Sequence, residues 1–227
     1  MRELYKTLRG VGFSEYEEKK SRFIGAASPA SDEGEALRFI AEVRARNKDA
    51  SHNVYAYLCG ERGYEKRYSD DGEPKGTAGT PVLEVIEKSG LSDAVIVVTR
   101  YFGGTLLGAA GLIRSYGKAA SAAVAAAVPV YKSLAHKYAI LVEYPLYNKV
   151  RNELEKGGYT IADVAYGIDI EIAVISPRDA EGRLRSAVLE LTAGSAAVER
   201  VGELYVDVPC DEAVVMSRND DIGGAGQ

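Results

Sequence analysis

The alternation of hydrophobic and polar residues is most regular in the second half of the chain. Four segments alternate and are rich in branched side chains, which predicts strands over Leu134–Tyr144, Tyr159–Tyr166, Ile168–Ile175 and Ala196–Val208. Between them, apolar residues on one helical face predict one helix opened by Pro145 and another opened by Ser176-Pro177. The order β-α-β-β-α-β is that of a ferredoxin-like domain, so we expect an antiparallel sheet with both helices on one face.

The first half of the chain is also α/β, but its pattern is less regular. Apolar residues alternate on both sides of Glu17–Ser21, which predicts a hairpin. Asp32, with Glu35 three residues later, predicts the N-cap of a helix that ends near Arg46. Further elements are then expected in this order: two paired strands (Asn53–Gly60, Tyr64–Ser69), a short helix (Pro81–Lys88), a strand covered on both faces (Asp93–Phe102) and a helix ending near Ala127.

These patterns divide the 227 residues into two domains with different charge. We expect an N-terminal domain over 1–130, a second domain over 134–210 and a disordered tail over 217–227. Residues 1–133 carry 19 Lys and Arg against 17 Asp and Glu, whereas residues 134–227 carry 9 against 16. Because the resulting net charge of −7 in the second half opposes attraction to nucleic acid, any RNA contact is expected in the first.

Cysteine use and hydrophobicity exclude several protein classes. Cys59 and Cys210 are far apart and neither belongs to a CxxC pair, so the sequence predicts neither a disulfide framework nor a zinc knuckle. The N-terminal residues MRELYK are charged and lack the apolar core of a signal peptide. The longest uncharged stretch, Ala119–Tyr131, is too short to cross a bilayer. A reducing, cytoplasmic location is therefore expected.

Two adjacent glycines follow the predicted buried strand in RYFGGTLLGAAGLIRSYGKAA, which covers Arg100–Ala120. A strand, then glycines, then a helix N-terminus is the geometry of an anion site. The GxGxxG and Walker patterns are absent, so a tight corner with close helix packing is the alternative. The candidate ligand-binding residues of this segment are Arg100, Tyr101, Gly103, Gly104 and Arg114.

A long polar loop, RYSDDGEPKGTAGTP (Arg67–Pro81), concentrates charged side chains. Clustered carboxylates could bind Mg²⁺, but the EF-hand pattern fails, and we assign no metal ligand. The alternative is a solvated turn in which Asp and Gly serve the backbone geometry, although loops of this length are usually functional or disordered. The candidate ligand-binding residues are Arg67, Asp70, Asp71, Gly72, Thr77 and Gly79, and Glu73 is added as a catalytic candidate.

The segment DASHNVYAY places two polar residues at the start of a strand. His52 could act as an acid or base, or could simply cap the strand end. Asn53 and Tyr55 lie on one face if the strand is regular, and both are ligand-binding candidates. No serine or cysteine nucleophile is visibly paired with His52, so no catalytic triad is predicted.

The segments KKSRFIGAASP, HNVYAY, RYSDDGEPKGTAGTP and VIVVTRYFGGTLLGAAGLIRSYGKAA resemble the signature segments of the IMPACT family, in particular its bacterial YigZ-like branch. The resemblance implies an α+β fold class. Its N-terminal α/β sandwich is similar to the second domain of ribosomal protein S5, and its C-terminal ferredoxin-like βαββαβ domain is similar to the last domains of elongation factor G. Thr105-Leu106-Leu107 departs from the family pattern, because a basic residue is missing beside the glycines.

The resemblance also implies a role near translation, because eukaryotic relatives regulate it by competing for the scaffold that activates an initiation-factor kinase. We expect a translation-associated binding protein that contacts RNA, the ribosome or a translation-regulating protein, with no cofactor and with neither DNA nor a membrane as partner. A single surface holding Arg67, Arg100, Tyr101 and Arg114 is expected to meet the anionic partner, because arginines beside tyrosines can stack on bases.

Two other functions stay open on the sequence alone. The density of polar residues favours a metal-assisted hydrolase of a phosphate-bearing substrate, whose candidate catalytic residues are His52, Asp70, Asp71 and Glu73. The acidic second half favours a pure protein-interaction module. An enzyme would need His52 and the carboxylates, whereas a binding protein would need the arginines more.

Overall fold

A computed structural model describes residues 2–60 and 65–208, which form two compact units. The first unit holds the chain up to Lys132 together with Asp207 and Val208, and the second holds Ser133–Val206. Cys210 and the predicted tail over 217–227 lie outside the described residues. Among the helices of the described ranges, none combines the length and the apolar character needed to cross a membrane.

The first unit contains a five-stranded antiparallel sheet and three helices. Its elements are β1 (Leu4–Leu8), β2 (Gly12–Glu18), β3 (Ser21–Pro29), α1 (Glu33–Arg46), β4 (His52–Cys59), β5 (Glu65–Ser69), α2 (Gly79–Lys88), β6 (Ala94–Tyr101) and α3 (Gly108–Ala126). The strand order of the sheet is β2-β3-β6-β4-β5. Strand β7 (Pro129–Val142) lies beside β1 and then continues into the second unit.

Helices cover both faces of this sheet. Val54, Ile96 and Val98 pack with α2 and α3 in one core, whereas Tyr57 and Val97 pack with α1 in another. Every residue of β6 from Ala94 to Arg100 is buried, because β6 is the central strand and has a helix layer on each side. The α/β sandwich and the doubly covered strand predicted from the sequence are therefore confirmed.

The second unit has the predicted β-α-β-β-α-β order. After β7 come α4 (Tyr144–Lys156), β8 (Thr160–Tyr166), β9 (Ile170–Pro177), α5 (Glu181–Leu191) and β10 (Ala197–Val208). The sheet order is β10-β7-β9-β8, and both helices pack on one core with Tyr138, Ile140 and Ile172. This confirms the ferredoxin-like fold class, including both helices on one face.

The structure differs from the sequence-based expectation at several elements. Strand β7 begins at Pro129, five residues before the predicted strand start at Leu134. Strand β1 was not predicted. Helix α5 begins at Glu181 rather than at Ser176-Pro177, because these two residues still pair with His136 and Ala135 of β7. Helix α2 begins two residues before Pro81, because the Asp70 carboxylate accepts hydrogen bonds from backbone N–H groups at its N-terminus.

Candidate functional site

A buried ion pair lies between β6 and the loop that precedes α2. Arg100 Nη1 donates to Glu73 Oε1 at 2.7 Å, and the two side chains are only 6% and 4% exposed. Arg100 Nη2 also donates to Ser21 Oγ at 3.2 Å, whereas its buried Nε has no partner among the described residues. This environment makes Arg100 an interior residue rather than a surface cation.

Tyr116 and His52 complete this cluster around Glu73. The Tyr116 hydroxyl donates to Glu73 Oε1 at 2.8 Å. Burial, followed by the negative charge of Glu73, raises the pKa of Tyr116, so its hydroxyl stays protonated as a donor. His52 Nε2 lies 3.8 Å from the same oxygen, and His52 Nδ1 donates to the Asp71 carbonyl at 2.8 Å. We call Ser21, His52, Glu73, Arg100 and Tyr116 the Glu73 cluster.

The two aspartates of the polar loop hold the backbone in place. Asp70 accepts from the N–H groups of Gly76, Ala78 and Gly79 at 2.8–3.1 Å. Asp71 accepts from Asn53 N at 2.7 Å and from Arg44 Nη2 at 2.8 Å. Among the described residues, no group of three or more His, Cys, Asp or Glu is placed to hold a metal ion.

The smaller residues of the loop also serve its geometry. Thr77 Oγ1 donates to the Pro74 carbonyl at 2.7 Å. Gly72 has a φ of +89°, which favours glycine. A Cβ at Gly79 would lie 2.8 Å from the Tyr68 ring, so this position needs a residue without a side chain.

The sheet separates several predicted site residues from the Glu73 cluster. Asn53 accepts from Thr99 Oγ1 at 2.7 Å, and Tyr55 stacks with Tyr57 on the face covered by α1. Tyr101 donates to Asn47 Oδ1 at 3.1 Å. These contacts lie on the face opposite His52 and Arg100, because successive residues of a strand point to opposite faces.

The expected single surface of Arg67, Arg100, Tyr101 and Arg114 is wrong. Both arginines lie on strands that pair with β4: Arg67 of β5 lies opposite Tyr57, whereas Arg100 of β6 lies opposite His52. Five residues of strand separate these two positions, which corresponds to about 17 Å. Arg67 is also 3.4 Å from Glu33, and Arg100 is buried beside Glu73. Arg114 alone keeps an exposed guanidinium with no ion pair in the described ranges.

Gly103 and Gly104, which follow β6, are each required by the local structure, for different reasons. A Cβ at Gly103 would lie 1.9 Å from the Lys20 carbonyl oxygen, so the β2–β3 turn packs directly on this backbone. Gly104 has a φ of +81°, a conformation that residues with side chains rarely adopt. The tight corner that the sequence left as an alternative is therefore present here, and it fixes the hairpin against the segment that leads into α3.

An open groove of about 350 Å³ lies between this hairpin and α3. Its basic residues are Lys19 from the turn and Arg114 and Lys118 from α3, and its lining also includes Tyr16, Glu18, Leu107, Gly111 and Ser115. Lys118 Nζ lies 4.4 Å from the centre of the Tyr16 ring. Within residues 2–60 and 65–208, none of the three basic side chains forms an ion pair with a carboxylate. We call this cavity the hairpin groove.

An aromatic chain connects the hairpin groove to the Glu73 cluster. Tyr16 stacks on Phe23 with ring centres 5.4 Å apart, and Phe23 meets Tyr116 edge-on at the same distance. Tyr16 also donates to the Ser115 carbonyl at 2.7 Å, which ties β2 to α3. The buried ion pair and the aromatic chain therefore hold β2 and α3, which line the hairpin groove, in place.

Sequence reasoning missed Lys19 and Lys118 as site residues. Lys118 follows Arg114 by four residues, so a helix places both on one face, and this signal was available. Lys19 and Lys20 both have positive φ values, 47° and 66°, at the tip of the hairpin. That the hairpin tip approaches α3 could not be predicted, because it depends on the packing of Gly103 against Lys20.

Comparison with known proteins assigns both units. Residues 19–124 match the Impact N-terminal domain, and residues 140–195 match DUF1949, a domain of unknown function. The IMPACT family member YvyE of Bacillus subtilis (strain 168) is 37% identical over 200 residues, which are 88% of this chain and 92% of that protein. The IMPACT family member YigZ of Escherichia coli (strain K12) is 38% identical over 128 residues, which are 56% of this chain and 63% of that protein.

A solved structure has a similar fold, and a eukaryotic relative matches part of the chain. The crystal structure of a hypothetical protein superimposes with a TM-score of 0.57 at 28% identity and covers 89% of this chain and 99% of that chain. The protein IMPACT homolog of Dictyostelium discoideum is 36% identical over 95 residues, which are 40% of this chain and 27% of that protein. The chain belongs to the IMPACT family.

Proposed function

We propose that this protein is a translation-associated binding protein whose first unit contacts RNA through the hairpin groove. The observation that carries the proposal is the convergence of Lys19, Arg114 and Lys118 on one open cavity, where they outnumber the single carboxylate of the lining, Glu18, and where none of them forms an ion pair in the described ranges. Unpaired cations beside one another repel, and phosphate groups relieve that repulsion. Membership of the IMPACT family supports the link to translation.

RNA phosphates fit this groove better than a protein carboxylate surface does. Arg114 offers a planar guanidinium that can donate two hydrogen bonds to one phosphate, whereas the two lysines act as mobile point charges. Because successive phosphates of a strand are spaced regularly, three cations along one groove can each meet a different phosphate. Contacts of this kind read the backbone and not the base sequence, so binding should tolerate many sequences.

Electrostatics also limits the strength of this binding. The net charge of the whole chain is −5, and its first 133 residues carry 19 basic against 17 acidic side chains. The long-range field therefore does not draw RNA to the protein, and attraction arises only within about one Debye length of the groove. We expect weak binding that depends steeply on salt.

The double variant Arg114→Ala/Lys118→Ala tests the proposal by fluorescence anisotropy with a labelled single-stranded RNA of mixed sequence at low salt. We expect affinity to fall at least about tenfold, because each lost charge-assisted contact contributes on the order of 1 kcal/mol. The matched control is Arg38→Ala/Arg46→Ala, which removes two exposed charges from α1 on the other face of the sheet. This control should bind as the parent does.

Two results would contradict RNA binding at the groove. Equal losses in the two double variants would show attraction by charge alone, without a site. An absence of saturable binding by the parent at low salt would show that RNA is not the partner. Circular dichroism of both variants should match that of the parent, since all four arginine and lysine side chains are exposed.

A further inference from the structure

The second unit carries a groove of its own, between helix α4 and strand β8. It has a volume of about 470 Å³. The residues that matter for its chemistry are Tyr147, Arg151 and Glu155 from α4, and Ile161, Val164 and Tyr166 from β8. The three α4 residues follow one another at four-residue spacing, so they form one stripe along the helix beside β8.

Strand β8 is an edge strand among the described residues. The sheet order ends in β9-β8, and β9 is the strand with which β8 pairs. Edge strands are usually protected from further pairing by proline, charged side chains, bulges or a covering element. The sequence of β8, TIADVAY, contains no proline or lysine, but it carries the charge of Asp163 and a bulge between Ile161 and Asp163. The Asp163 carboxylate opposes pairing with an acidic strand and not with a basic one, and outside the bulge the free side of β8 offers backbone N–H and C=O groups to such a strand.

Because β8 contains a bulge, three of its side chains lie on the face of the sheet that packs against α4. The pairing with β9 shifts between Ile161 and Asp163, so Ile161, Val164 and Tyr166 lie opposite Val174, Ile172 and Ile170. Those three β9 residues are buried beneath the helices. The apolar layer under α4 thus continues to the edge of the sheet, where it is only partly covered.

Aromatic side chains make up one end of the groove. Tyr166 is 66% exposed. The centre of its ring lies 6.1 Å from the centre of the Tyr147 ring, and the two rings pack edge to face. The Tyr144 hydroxyl donates to the Gly167 carbonyl at 3.0 Å, which fixes the turn after β8. The exposed rings of Tyr166 and Tyr144, next to the edge of β8, suit the side chains of an added strand.

We propose that this groove binds an extended peptide segment of a partner protein, which adds to β8 as a further strand. Main-chain hydrogen bonds to β8 would hold the segment, and alternate side chains would enter the space between β8 and α4. Those alternate positions should be apolar or aromatic, because Ile161, Val164 and Tyr147 line that space. This site lies in a different unit from the hairpin groove and does not depend on RNA binding.

The charge of the second unit indicates which residues should stand between the apolar positions of the peptide. Asp163 lies at the middle of β8, and residues 134–208 carry eight Lys and Arg against twelve Asp and Glu. Lysine or arginine should therefore occupy the positions between the apolar residues. The same acidity disfavours RNA here. It also disfavours a second copy of the chain, since antiparallel in-register pairing of two β8 strands would bring both Asp163 carboxylates together.

An array of decapeptides tests this proposal with the full chain. One set alternates lysine or arginine with valine, leucine or tyrosine, a second replaces the basic residues with glutamate, and a third has the composition of the first in blocks. We expect saturable binding to the first set and little binding to the other two. On titration with a first-set peptide, the NMR signals of the backbone amides of Thr160–Tyr166 should shift, and these amides should become more protected from hydrogen exchange.

Two pairs of variants locate the binding. Asp163→Lys should weaken binding roughly three- to tenfold, whereas Asp179→Lys, an equally charged change at another exposed site, should leave it unchanged. Tyr166→Ala should weaken it about tenfold, whereas Leu189→Ala, on the exposed side of α5, should not. These four side chains are exposed or make only local contacts, so all four variants should fold.

Three outcomes would overturn the proposal. The first is that no peptide of the array binds, and the second is that Asp179→Lys weakens binding as much as Asp163→Lys does. The third is a dimer of the parent that dissociates in Tyr166→Ala while no peptide binds, which would assign the groove to a second copy of the chain.

Discussion

Glu73→Ala is expected to lower the free energy of unfolding of the first unit by about 3–5 kcal/mol. The variant leaves the Arg100 guanidinium, only 6% exposed, without its counter-charge. It also removes the acceptor of the Tyr116 hydroxyl. A buried charge that loses its partner cannot regain its hydration without opening the structure, so the cost is far larger than for a surface pair.

Hydrogen exchange of the buried β6 amides measures this loss, because it reports the first unit without interference from the second. The control Glu84→Ala breaks an exposed pair with Lys88 and should cost no more than about 1 kcal/mol. The double variant Glu73→Leu/Arg100→Met should recover part of the lost stability, because no unpaired charge remains, although the buried Tyr116 hydroxyl still lacks its acceptor. A cost for Glu73→Ala as small as that of Glu84→Ala would show that the pair is not buried as described.

Gly103→Ala is expected to destabilise the first unit by about 1–3 kcal/mol and to weaken RNA binding as well. The new Cβ would lie 1.9 Å from the Lys20 carbonyl oxygen, and a backbone atom cannot rotate away as a side chain does. The hairpin tip must therefore move, and Lys19 moves with it away from Arg114 and Lys118. Stability and affinity should fall together.

Gly117→Ala is the matched control for this prediction. Gly117 lies within α3, and a Cβ there would meet no neighbouring atom within 4 Å. Alanine should stabilise the helix by about 0.5–1 kcal/mol and leave the hairpin in place. Thermal unfolding and RNA titration of both variants measure the two effects. Unchanged stability and affinity in Gly103→Ala would contradict the close packing of the hairpin on the segment after β6.

The sequence predicted those parts of the fold that depend on local signals. Asp32 caps α1 and accepts from Glu35 N at 2.8 Å, as the capping pattern indicates. Gly157 and Gly158 end α4, and the alternating strands of the second unit form in the expected order. In each case the side chains that decide the structure are neighbours in the sequence.

The candidate site could be predicted only in part, because it depends on which face of β4 and β6 each residue occupies. His52 and Asn53 are adjacent, yet one belongs to the Glu73 cluster and the other bonds to Thr99 on the opposite face. In strands covered on both sides, alternation is lost and the sequence does not mark the faces. Burial of Arg100 likewise depends on Glu73, which is 27 residues away.

Binding of RNA through the hairpin groove is tested most directly by the salt dependence of the affinity. The logarithm of the association constant should fall linearly with the logarithm of salt concentration, by about 0.7 for each phosphate contact with a single strand. Lys19→Ala/Arg114→Ala/Lys118→Ala should therefore flatten the slope by about 2 relative to the parent. A slope that is the same in the parent and the triple variant would contradict binding at this groove.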